Sequence, residues 1–158
     1  MCFTSQETIL QGHTHYVTSV AITRDKKYAV SGSCDKTVRL WNLQEKRQEA
    51  VLQGHTDFVT SVAITHDSKY VVSGGNDKTV RVWNIQKKSQ EAVLQVHTNY
   101  VRSVAITHDN KYVVSGGDNT VKVWNLKEKR QETILYKNDS ENIWIKRYPE
   151  INLFIKAL

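Results

Sequence analysis

Hydrophobic and polar residues alternate along most of the chain. Around Lys69 the pattern is clearest, in KYVVSGGNDKTVRVWN. Tyr70 to Ser73 is an apolar, β-branched run, Gly74 to Lys78 is a cluster of small and turn-forming residues, and Thr79 to Trp83 alternates again. Val80 and Val82 fall on one face there, Arg81 and Trp83 on the other. A period of two is the mark of a pleated strand, and Gly, Asn and Asp between two such runs mark a tight turn. The stretch therefore predicts a β-hairpin ending in tryptophan. It recurs as KYAVSGSCDKTVRLWN from Lys27 and as KYVVSGGDNTVKVWN from Lys111.

The spacing is regular. Ser31, Ser73 and Ser115 lie 42 residues apart, and so do His13, His55 and His97. Trp41, Trp83 and Trp124 follow at 42 and then 41, because the third hairpin turn is one residue shorter. In the first unit, Val17 to Ile22 precedes the hairpin as a further strand and Gln48 to Gln53 follows it. Four strands in about 40–45 residues is the period of β-propeller blades. Helical repeats of that length need apolar residues three and four apart, and would not place Gly pairs and β-branched runs where these sit. The units run over residues 12–53, 54–95 and 96–136. Ser5–Gln11 matches the last strand of a unit that has no other strands. Residues 137–158 read as a decayed fourth unit, with short strands near Asn142–Arg147 and Ile151–Ile155. The expected fold is all-β: a partial propeller of three four-stranded antiparallel blades, its ring not closed by one chain.

Composition changes this picture little. The 158 residues are 39% hydrophobic with four Trp and seven Tyr, enough for one domain's core. Two cysteines, Cys2 and Cys34, make no disulfide framework, and Met1–Gln11 has neither a basic start nor a long apolar run. The expected compartment is the cytoplasm, with the nucleus as the alternative. No run is long enough to span a bilayer as a helix. The net charge of +6 favours acidic partners mildly.

Gly-His, about two dozen residues, then Ser-Gly-x-x-Asp-x-Thr-Val-x-x-Trp resembles the WD40 (WD-repeat) family, three times over residues 5–136. Each unit here ends Trp-Asn, at Asn42, Asn84 and Asn125, where that family usually has Trp-Asp. No Arg follows two positions later, which argues against a cullin-ligase substrate receptor. The resemblance implies a hydrogen-bonded tetrad in each blade: His13, Ser31, Asp35 and Trp41; His55, Ser73, Asp77 and Trp83; His97, Ser115, Asp118 and Trp124. The chemistry suits that role. A buried indole N–H needs an acceptor, a hydroxyl accepts it, and a carboxylate fixes the imidazole.

Ser, His and Asp together also suggest a hydrolase triad. A catalytic set occurs once, whereas these occur three times, each tied to a tryptophan and without a nucleophile elbow. No catalytic residue is assigned. His66-Asp67 and His108-Asp109 sit in the first hairpin turns of successive blades, expected to lie far apart, and no Cys/His spacing fits zinc. No metal, cofactor or phosphate loop is expected.

The resemblance places Tyr16, Phe58 and Tyr100 on the face where partners dock, with Thr18, Thr60 and Arg102 as a second contact position and Cys34 and Asn76 as a third. Exposed aromatics beside an Arg suit a binding hot spot. The expected function is a non-catalytic scaffold for other proteins or peptides. The alternative is a nucleic-acid-associated propeller using Lys26, Lys27, Lys46, Arg47, Lys69, Lys87, Lys88, Lys111, Lys129 and Arg130 in the turns of the opposite face. Acidic residues lie among them, which favours a solvated mixed-charge rim. Three blades also leave two open edges. Three outcomes fit: a piece of a longer propeller, an open arc, or two copies closing one ring as a homodimer.

Overall fold

The computed structural model describes residues 7–95 and 97–136. It contains twelve strands there, in three antiparallel sheets. The first sheet is β1 (Val17–Ile22), β2 (Tyr28–Ser33), β3 (Val38–Asn42) and β4 (Arg47–Leu52). The second is β5 (Val59–Ile64), β6 (Tyr70–Gly75), β7 (Thr79–Asn84) and β8 (Ser89–Gln95). The third is β9 (Val101–Ile106), β10 (Tyr112–Gly117), β11 (Thr120–Asn125) and β12 (Arg130–Tyr136). Strand order within each sheet follows the chain, so every connection is a hairpin.

The three sheets are blades stacked side by side, with the innermost strands β1, β5 and β9 as neighbours. Two cores fill the gaps between blades. The first joins Val30, Val38 and Leu40 of one blade to Val59, Val62 and Trp83 of the next. The second joins Val72, Val80 and Val82 to Val101, Val104 and Trp124. Each blade thus has a front face that packs on the blade before it and a back face that receives the blade after it. Alternation within the strands places valine on both faces of the hairpin strands, which both inter-blade cores require.

The hairpin glycines act differently from the turn role their position suggests. No glycine among the described residues has positive φ; the left-handed turn positions belong to Lys36, Lys78, Asp118 and Asn119. Gly32 and Gly74 lie within strands instead. A Cβ on Gly32 would meet Val59 Cγ1 at 2.6 Å, and one on Gly74 would meet Val101 Cγ1 at 2.5 Å. They are glycines because the next blade approaches there.

The expected orphan strand Ser5–Gln11 is not formed over the part described. Residues 7–13 belong to no strand. A strand needs a ladder partner, and among the described residues no strand pairs with them. The expected partial unit 137–158 lies outside the described residues.

Candidate functional site

In every blade the hairpin brings four distant side chains together. The indole N–H of Trp41 donates to Ser31 Oγ at 2.8 Å, and His13 Nε2 lies 2.7 Å from the same oxygen. His13 Nδ1 lies 2.7 Å from Asp35. The second blade repeats this with Trp83, Ser73, His55 and Asp77 at 2.8, 2.7 and 2.8 Å. The third does so with Trp124, Ser115, His97 and Asp118 at 2.9, 2.8 and 2.9 Å. A fifth member joins each set. Thr37, Thr79 and Thr120 donate their hydroxyls to the aspartates. The Asp-x-Thr spacing carried that signal, since a side chain two residues on can close on the carboxylate.

The aspartates stay ionised. Burial pushes Asp35 and Asp77 up, but hydrogen bonds from their threonines, their histidines and nearby backbone amides outweigh it and hold both well below the usual carboxylate range. Asp118 follows the same balance. Burial also pushes the His97 imidazole below its ordinary value, against the pull of Asp118. An imidazole fixed between a carboxylate and a hydroxyl that already accepts an indole proton is a brace.

The expected docking positions sit at the entry to each inner strand. Tyr16, Phe58 and Tyr100 are 78%, 40% and 45% exposed, well above the usual for aromatic residues in a folded domain. His15 links the first two, with its ring edge-on to Tyr16 and stacked on Phe58 at centroid distances of 4.9 and 6.0 Å. Cys34 N–H donates to Tyr16 O, and Asn76 N–H to Phe58 O. The first and third contact positions are thus adjacent in blades one and two. Arg102, two residues after Tyr100, is exposed. Thr18 and Thr60 are differently employed. Each hydroxyl lies within bonding distance of a carbonyl of its own blade and one of the next, Val59 O and Val101 O, both at 2.5 Å. They brace the junctions between blades, while the aromatic rings face outward. His15 was missed because it occurs in one repeat only.

The opposite rim is mixed in charge, as its sequence suggests. Arg47 pairs with Glu45 and Glu49, Lys88 with Glu49, Lys87 and Lys129 with Glu91, and Arg130 with Glu128 and Glu132. Lys69 and Lys111 pair with Asp67 and Asp109. The His66 and His108 turns, expected to lie far apart, are brought together by the stacking of successive blades, with their rings 4.2 Å apart. Among the described residues no group of three or more His, Cys, Asp or Glu could hold a metal ion.

Stacked four-stranded blades, each braced by a Trp-Ser-His-Asp set, define a β-propeller architecture of the WD-repeat class. The sequence pattern of "WD domain, G-beta repeat" matches residues 4–42, 46–84 and 88–125. The chain belongs to the WD40 family. It is similar to the small ribosomal subunit protein RACK1 of Caenorhabditis elegans, 53% identical over 36 residues, which is 23% of this chain and 11% of that protein. The same protein of Schizosaccharomyces pombe is 50% identical over 36 residues, 23% of this chain and 12% of that protein. Among solved structures, that of U3-55K superposes with a TM-score of 0.78 and 26% identity, over 82% of this chain and 42% of the other. The RRP9 WD40 repeats give the same score and identity over 82% and 41%. The chain thus spans less than half the length of these propellers and about a tenth of the curated relatives.

Proposed function

We propose that this chain is a non-catalytic interaction module whose aromatic rim docks another protein or peptide. WD40 propellers are in general protein-interaction scaffolds, and the family is typically not enzymatic. The observation that carries the reading is the row Tyr16, Phe58 and Tyr100, repeated blade by blade and exposed, with His15 and Arg102 beside it. Nothing inside the blades needs these rings outward. Aromatic and arginine side chains contribute large contact area at low entropic cost, and they dominate binding hot spots. The tetrads brace the blades, and Cys34 and Asn76 extend the rim.

The test is affinity capture with quantitative proteomics, comparing the natural chain with a variant in which Tyr16, Phe58 and Tyr100 are all changed to Ala. The expected result is loss of a discrete set of bound proteins with no loss of thermal stability. Identical capture by both would refute the aromatic rim as the binding face. A second reading, docking on a ribonucleoprotein, is favoured by the net charge of +6 and by similarity to a small ribosomal subunit protein. It predicts salt-dependent RNA binding that is lost when Lys87 and Lys88 become Glu. The ion pairs at those lysines weigh against it.

A further inference from the structure

The two ends of the stack are complementary halves of one junction. At the first junction Val59 and Val62 of the following blade sit on Gly32; at the second Val101 and Val104 sit on Gly74. The valines in the same places on the first blade are Val17 and Val20. They are 50% and 70% exposed, whereas Val59 and Val62 are 0% and 7% exposed. Beside them lies a cleft of about 790 Å³, lined in part by Val17, Val20, Val30 and Trp41. The glycine in the same place on the last blade is Gly116. Among the described residues, a Cβ there would meet nothing within 4 Å. Among the described residues the knob is uncovered at one end and the hole is open at the other.

Polar groups repeat the match. Ser19 accepts from the amide of Val62 at 3.1 Å, and Ser61 from that of Val104 at 3.2 Å. Ser103 holds the same position on the last blade and Val20 the same position on the first. From the turns just before the outer strands, Lys88 reaches Glu49 and Lys129 reaches Glu91, each across a junction. The next acceptor in that series is Glu132 and the remaining donor is Lys46. Apolar knob, serine acceptor and ion pair all continue, in register, from the last blade back to the first.

We propose that two copies of this chain join head to tail, the Val17 and Val20 face of one seated on the Gly116 face of the other. The contact continues the two junctions already present within each chain. Two copies supply six full blades, within the range at which propellers close. A head-to-tail contact closes into a ring when its rotation allows and otherwise extends.

Solution mass over a concentration series, by size exclusion with light scattering on the full chain, tests this. The expected result is a concentration-dependent rise from 18.2 kDa to twice that mass. Val17→Asp and Gly116→Leu each weaken association by at least about tenfold, because one buries an unpaired charge and the other fills the hole. Val17 is exposed, so its variant keeps the wild-type circular dichroism. Mixing the two variants restores association, since one natural knob and one natural hole remain to form a junction. Lys46→Glu weakens association about two- to fivefold, and adding Glu132→Lys to the same chain restores it. Three results would overturn the proposal: a natural chain that stays monomeric at every concentration; a Gly116→Leu variant that associates normally while Val17→Asp does not, which means front-to-front pairing; or a monomer whose Gly116→Leu variant loses thermal stability, which means the chain's own remaining residues fill that face.

Discussion

Ser73 carries two partners on one oxygen. It accepts the Trp83 indole proton and meets His55 Nε2, and it is fully buried. Changing it to Ala strands both partners in the interior. Each orphaned group costs about 1–3 kcal/mol, so Ser73→Ala should lower unfolding free energy by several times the effect of an exposed Ser→Ala change. Urea denaturation followed by tryptophan fluorescence measures it. The third tetrad makes a pH prediction. Burial holds His97 below its ordinary value, so the folded chain resists a proton that the unfolded chain accepts near pH 6.5. Stability should be level above that pH and fall as pH drops below about 6.5. It should fall again below about 4, where the unfolded aspartates protonate and the hydrogen-bonded Asp35, Asp77 and Asp118 resist. Melting temperature against pH gives the profile, and an NMR titration of His97 should give a midpoint below 6.5. A midpoint above it would mean that Asp118 outweighs burial.

At the scale of the strand and its neighbours, the sequence was legible wherever local chemistry decided the outcome. Strand alternation and the place of each hairpin follow from residue type at fixed spacing, and the tetrad partners from the resemblance that the repeated spacing carries, because each blade solves the same packing problem. The inter-blade role of Gly32, Gly74, Thr18 and Thr60 was not legible. Their partners lie on another blade, 27 residues on for the glycines and 41 for the threonines, and sequence spacing does not tell which two faces meet. The expected last strand Ser5–Gln11 shows the converse: its pattern is strand-like, yet among the described residues no ladder is there for residues 7–11 to join. A pair of substitutions checks the junction. Gly74→Ala should cost about 1–3 kcal/mol, since Val101 is fully buried and has no room to move from 2.5 Å. Gly116→Ala, in the same place one blade later, should stay within about 0.5 kcal/mol of neutral in the monomer. Thermal melts of the two variants at low concentration decide it. Equal costs would contradict the open hole at Gly116.

At the scale of the whole molecule, stability is uneven by construction. Both inter-blade cores are complete, while the front of the first blade is bare. Stacked repeats stabilise one another through nearest-neighbour contacts, so an uncovered terminal repeat opens most readily. In the proposed association the same bare face that weakens the first blade receives another blade, and the exposed aromatic residues lie at the blade entries. The measurement that tests this account most directly is hydrogen exchange resolved by strand, at low and high protein concentration. β5 and β9, covered by neighbouring blades, should be protected at both concentrations. β1 should exchange faster than either when dilute and gain protection when concentrated. A β1 as protected as β5 at every dilution, or one that gains nothing on concentration, would contradict the open arc and its complementary ends.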